Sequence, residues 1–198
     1  EFAMDILITG TSDGIGRATA EYFLERAHSV VCFDRKSPAL AHPNYRHEIL
    51  DICDADAYPE DVQPEILINN AGVQDSGRDI EINLMGTIRV TEKYAIANPR
   101  IRAVVMVGSA SAHTGSEFPE YAASKGGLLT YTKNVALRLA PRAVCNSIDP
   151  GGVLTDLNRP VMEDPELWNQ IMALTPLRRW ATPEEIAEWI YFVGVRNR

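Results

Sequence analysis

The stretch Asp5-Ile6-Leu7-Ile8-Thr9-Gly10-Thr11-Ser12-Asp13-Gly14-Ile15-Gly16 decides the fold. Asp5–Thr9 has the apolar, β-branched character of a buried strand, and Ile15–Ala27 continues as an amphipathic helix. Between them, Gly10-x3-Gly14-x-Gly16 provides a tight turn. Its backbone N–H groups can approach a pyrophosphate, and the helix N-terminus favours such an anion. Glycines also serve ordinary turns, so the strand–turn–helix setting carries the reading.

Working outward, short apolar runs alternate with longer amphipathic ones. Strands are expected at Val30–Phe33, Arg46–Leu50, Ile66–Asn69, Ala103–Gly108 and Val144–Ile148. Helices are expected at Ile80–Ala97, Tyr121–Leu139, Glu166–Leu174 and Pro183–Val193, the last capped by Thr182 with Glu185 at its third position. Strands rich in Val and Ile, separated by helices, indicate an α/β doubly wound Rossmann-type parallel sheet. It has about six strands, and its ligand crevice lies at their carboxyl ends.

The 198 residues, 45% hydrophobic, suit one domain over residues 4–198. Glu1-Phe2-Ala3 ahead of Met4 reads as residues appended by cloning. A net charge of −8 argues against nucleic acid or an anionic membrane as partner. Without a signal peptide or an apolar run of about 20 residues, a cytoplasmic location is expected. Cys32, Cys53 and Cys145 lack a CxxC pattern and read as inert thiols. His47 and His113 lack metal-ligand spacing, so no metal is expected.

The second strand ends at Asp34, 18 positions beyond Gly16, where a carboxylate can bind the ribose hydroxyls of NAD. Arg35 and Lys36 could instead receive the 2′-phosphate of NADP, whereas Asp13 would repel it; the balance favours NAD. Tyr121 and Lys125 stand at i and i+4, one turn apart on one helix face. The ammonium eases ionisation of the phenol, whose reference pKa is about 10, by roughly 1–3 units. A tyrosine so placed can exchange protons near neutral pH.

These residues resemble the short-chain dehydrogenase/reductase family. Thr9–Gly16 is similar to its cofactor turn, Asn69-Asn70-Ala71-Gly72 to the signature after its fourth strand, and Tyr121-x3-Lys125 to its catalytic pair. Asn83 in Ile-Asn-Leu-Met-Gly, Ser109 and Pro150-Gly151-Gly152-Val153-Leu154-Thr155 complete the pattern in family order. The resemblance implies an enzyme that transfers a hydride between NAD(H) and a secondary alcohol or ketone, with Tyr121 as acid/base. Lys125 would tune Tyr121 and hold the nicotinamide ribose. Ser109, with Ser111 as its competitor, would bind the substrate oxygen, and Asn83 would hold a water. Gly10, Ser12, Asp13, Gly14, Ile15, Gly16, Asp34, Asp51, Asn70, Ala71, Gly72, Pro150, Gly151, Val153 and Thr155 would surround the cofactor.

A lid over residues 155–180, with apolar Leu157, Val161, Met162, Leu167, Trp168, Ile171 and Met172, would cover an apolar substrate or simply pack as core. Gln74, His113, Phe118 and Leu157 would border that substrate. The family's helix equivalent to Tyr121–Leu139 packs against its copy, implying a homodimer or homotetramer through Leu128, Leu129, Val135 and Leu139. Three departures stand out. Only 13 positions separate Asn70 from Asn83, so the intervening helix should be largely missing. The return through Ala140–Val144 is tight. The family's seventh strand is absent, which reads as truncation or as an exposed sheet edge. The rival function is a nucleotide-binding sensor or scaffold of the same fold without turnover.

Overall fold

A computed structural model describes residues 2–116 and 118–197; Glu1 of the expected cloning residues lies outside them. Strand β1 (Asp5–Thr9) leads through the glycine turn into α1 (Gly14–Leu24) and β2 (Ser29–Asp34), followed by β3 (Tyr45–Ile49) and β4 (Ile66–Asn69). A continuous helix over residues 80–96, α2, precedes β5 (Ala103–Val107). Then come the single turn α3 (Ser111–Thr114), α4 (Pro119–Leu139) and β6 (Val144–Ile148). Three helices finish the described chain: α5 (Arg159–Met162), α6 (Pro165–Leu174) and α7 (Pro183–Tyr191), the last extended by Phe192–Arg196.

The strands form one parallel sheet in the order β3-β2-β1-β4-β5-β6. Ile6, Leu7 and Ile8 are all buried because helices cover both faces. Side chains alternate between two cores. Leu7, Leu67, Val104 and Met106 pack with Val90, Tyr94, Leu128 and Leu139 on one side. Ile6, Ile8, Ile68 and Val105 pack with Phe23 and Ile190 on the other. The crossovers diverge between β1 and β4, which opens a crevice at the strands' carboxyl ends.

All six expected strands are present, with ends within one residue. The first helix stops at Leu24 rather than Ala27, because Ala27 adopts a left-handed φ of 63° and turns the chain toward β2. The helix over residues 80–96 is not uniform: wide π-type turns at Ile80–Gly86 and Glu92–Ile96 flank α-helical Thr87–Thr91. No helix lies between Asn69 and Ile80, as the short Asn70–Asn83 interval requires. Instead Asp79 closes the loop, its carboxylate accepting from the N–H groups of Asp75 (2.8 Å) and Ser76 (2.9 Å).

Of the α4 residues expected to meet a second copy, Leu128, Val135 and Leu139 pack in this chain's own core, whereas Leu129 is half-buried. The expected lid residues also differ from a core assignment, since α5 and α6 contain no buried residue. No helix among the described residues is long and apolar enough to cross a membrane.

Thr182 caps α7 as its sequence suggests. Its hydroxyl accepts from the Glu185 N–H at 3.2 Å, and the Glu185 carboxylate accepts from the Thr182 N–H at 2.8 Å. Thr182→Ala should lower stability by about 1 kcal/mol, seen as a Tm lower by roughly 2–4 °C. An unchanged melting curve would show that Pro183 and packing alone hold this helix.

Candidate active site

A cleft of about 830 Å³ runs along the carboxyl ends of the strands, from Asp34 and Lys36 past Gly10, Gly14 and Ile15 to Tyr121 and Lys125. Its volume is that of an ordinary small-molecule or cofactor site. Gly10 takes a φ of +78°, which a side chain rarely tolerates. At Gly16 an added Cβ would lie 1.8 Å from the Gly10 carbonyl oxygen, so the turn can close on α1 only with glycine there. Thr9 Oγ1 accepts from the N–H groups of Asn70 (3.0 Å) and Ala71 (2.9 Å). The Asn70 amide in turn donates to the Thr9 and Gly10 carbonyls at 3.1 and 2.9 Å. The glycine cradle and the β4 signature therefore brace one another, leaving a backbone-lined wall shaped for a pyrophosphate.

At the ribose end, the Asp34 carboxylate accepts from the Ser12 N–H at 3.0 Å and the Lys36 N–H at 2.9 Å. Ser12 itself turns its hydroxyl to the Ser37 carbonyl and does not line the cleft. Both neighbouring cations have carboxylate partners. Lys36 Nζ lies 2.5 Å from Asp13, whose hydrogen bond raises the lysine pKa, and Arg35 lies 3.7 Å from Asp51. Asp51 lines the cleft and also faces Arg78 at 3.8 Å. Burial works to raise its pKa, but the Cys53 N–H and the two guanidinium groups hold it below the usual value.

At the other end, α4 places Tyr121 and Lys125 together on the cleft wall, with the ammonium 5.7 Å from the centre of the phenol ring. Lys125 is buried and donates to the Val107 carbonyl at 3.1 Å. That burial pulls its pKa down to about 8, against the charges of Asp149 and Asp79. Asn83, in the first π-type turn of α2, is also buried. It donates to the Val73 carbonyl (2.8 Å) and Ser124 Oγ (3.1 Å), and accepts from the Val73 N–H (2.8 Å). A Cβ on Gly72 would come within 3.2 Å of Asn83 Oδ1 and 3.6 Å of Lys125 Nζ, so this glycine lets both polar groups reach the cleft floor.

The remaining expected site residues divide. Thr155, Gln74, Leu157, Ala71 and Gly72 line the cleft, whereas Pro150 and Gly151 lie off its wall. Val153 turns into the core beneath α7 and bridges to Ala181. Ser109 and Ser111 are both buried, with the Ser111 N–H donating to Ser109 Oγ at 3.1 Å. Phe118 is exposed at the start of α4, and His113 pairs with Asp149 at 2.8 Å. Asp79 and Asp149 were missed by the sequence reading. Asp79 was detectable as a carboxylate four positions before Asn83; Asp149 was visible only as an acid ahead of Pro150.

A doubly wound sheet with a glycine turn at its switch point and a phenol–ammonium pair in the same cleft defines a nicotinamide-nucleotide oxidoreductase. The chain belongs to the short-chain dehydrogenase/reductase family: the family model described as enoyl-(acyl carrier protein) reductase matches residues 10–194. It is 30% identical to 2,3-dihydro-2,3-dihydroxybenzoate dehydrogenase of Escherichia coli, over 96% of this chain and 89% of that protein. With carbonyl reductase [NADPH] 2 of Sus scrofa it shares 28% identity, covering 94% and 87% of the two chains. A solved 4-hydroxyisoleucine dehydrogenase complexed with NADH superposes with a TM-score of 0.88 at 25% identity, covering 97% of this chain and 91% of that one. The protein is an NAD(P)-dependent oxidoreductase of this family.

Proposed function

We propose that this enzyme interconverts a secondary alcohol and its ketone, with NAD(H) as the preferred cofactor and Tyr121 as the acid/base. The observation that carries this reading is the Tyr121 ring beside the buried Lys125 ammonium, in the cleft that also holds the glycine turn. Gly10, Gly14, Ile15 and the start of α1 would hold the pyrophosphate, and Asp34 the adenosine ribose. Bound NAD(H) supplies the hydride chemistry itself. Tyr121 gives its phenolic proton to the ketone oxygen during reduction and takes it back during oxidation. Lys125 favours the phenolate by its charge and donates toward the nicotinamide ribose. Ser109 hydrogen-bonds the substrate oxygen, while Asn83 orders the cleft floor through Val73 and Ser124.

Val73, Val107 and Leu157 on the wall favour an apolar substrate body, such as a cyclic, steroid-like or small aromatic ketone, over a polar sugar. A panel of both kinds, followed by loss of reduced-nicotinamide absorbance, tests this. Turnover of sugars alone would remove the substrate class.

NAD is favoured because Asp34 sits at the ribose end while Lys36 and Arg35 already face Asp13 and Asp51. A 2′-phosphate would meet carboxylates whose cations are engaged. The kcat/KM with NADH should exceed that with NADPH by about tenfold or more, one repulsive contact of roughly 1.4 kcal/mol. Equal or reversed preference would mean that Arg35 and Lys36 swing to the phosphate.

A further inference from the structure

Lys125 raises a problem that the catalytic pair alone does not solve. Lys125 as a whole is only 6% exposed, and burial favours the neutral amine, which would no longer tune Tyr121. Two carboxylates act on it through their charge from loops remote in sequence. Asp79, fully buried before α2, has its oxygens engaged by the Asp75 and Ser76 N–H groups and by Ser76 Oγ, and so mainly builds its turn. Asp149 follows β6 and is placed differently. Its Oδ2 accepts from His113 Nε2 at 2.8 Å and from Ser147 Oγ at 3.3 Å. Its Oδ1 fills the space above Gly108, where a Cβ would stand only 2.1 Å away. Gly108 directly follows Val107, whose carbonyl receives the Lys125 N–H. The carboxylate is thus fixed one residue from the lysine's hydrogen bond.

We propose that Asp149 is a positioning residue for the reaction: clamped by His113 and Ser147 over Gly108, its carboxylate keeps Lys125 in the ammonium form that Tyr121 needs. This rests on the reading of Tyr121 as acid/base. Among the charges opposing the effect of burial on Lys125, Asp149 outranks Asp79. The titratable groups around the ammonium are Tyr121 one turn earlier on α4, Asp79 from the loop before α2, and Asp149 beyond β6, with His113 of α3 behind it. Removing the Asp149 charge makes either member of the Tyr121–Lys125 pair lose its proton more readily. The shift is therefore toward lower pH whichever group titrates.

The experiment uses Asp149→Asn in the whole chain with two readouts. In the cofactor-free protein, NMR of the four 13C-labelled lysines, with Lys125 assigned by Lys125→Met, follows the Lys125 titration. In ketone reduction, kcat/KM is followed to alkaline pH. The midpoint and the alkaline limb should both fall by about 0.5–1.5 pH units. A folded variant with both within about 0.2 units of the parent overturns the proposal. Should the Asn variant not fold, Asp149→Ser is measured by the same criteria. If the parent enzyme turns over but Tyr121→Phe does so equally well, the acid/base reading fails; the NMR midpoint still reports on Asp149 independently.

Discussion

Tyr121→Phe is expected to lower kcat by about 10³-fold or more while leaving NAD affinity within about twofold. Only the hydroxyl is lost. The ring keeps its place on α4 beside Lys125, and on the proposed reading the cofactor's main supports would lie elsewhere, at the Gly10–Gly16 turn and Asp34. Steady-state kinetics with a responsive ketone, paired with a fluorescence titration of NADH, separates chemistry from binding. A variant retaining more than about a tenth of parental kcat would take Tyr121 out of the proton-transfer role. The same pair of measurements addresses the silent-scaffold alternative, which requires NAD binding in the parent protein without turnover of any substrate in the panel.

Lys125→Met is expected to act in opposite directions on activity and stability. Turnover should fall by roughly 10²–10³-fold, because the phenol loses the charge that favours its ionised form. Stability at neutral pH should rise. Burial pulls the folded-state pKa of Lys125 from 10.5 to about 8. Between those values the unfolded chain holds a proton that the folded chain has released, so stability increases with pH across that window. Below about 8 the ammonium is present in both states and the full penalty applies, on the order of 3 kcal/mol. Methionine removes it, offset by about 1 kcal/mol for the hydrogen bond lost at the Val107 carbonyl. The net gain of about 1–2 kcal/mol corresponds to a Tm higher by a few degrees at pH 7, and it should shrink toward pH 10. A Tm difference independent of pH would show that Lys125 is not the titrating group. The trade is the one expected where a site holds a charge that folding alone would discard.

The local features of this enzyme were open to inspection in its chain. Runs of Ile, Leu and Val marked β1, β4 and β5, because burial on both faces demands continuous apolar sequence. Thr182 with Glu185 announced the start of α7, since a capping box involves only four neighbouring positions. Tyr121 and Lys125 were on one helix face by spacing alone.

Where distant segments meet, local pattern was silent. Leu128, Val135 and Leu139 are as apolar as an interface requires, yet they turn inward, because α4 packs against β6 and α2. The Val153 side chain packs under α7, far in sequence from it. The first wide turn of α2 carries no propensity signal; it appears where Asn83 ties to Val73 across a shortened loop.

The residues of the chain by themselves pointed to a parallel α/β fold, a glycine turn between strand and helix, and a phenol–ammonium pair on one helix face, since each depends on backbone geometry over a few consecutive positions. Only the tertiary structure decided that the charges of Asp79 and Asp149 would act on Lys125 and that Arg35 and Lys36 would face carboxylates. Those charges come from loops that strand order, not sequence proximity, brings together, and electrostatic interaction depends on distance in space.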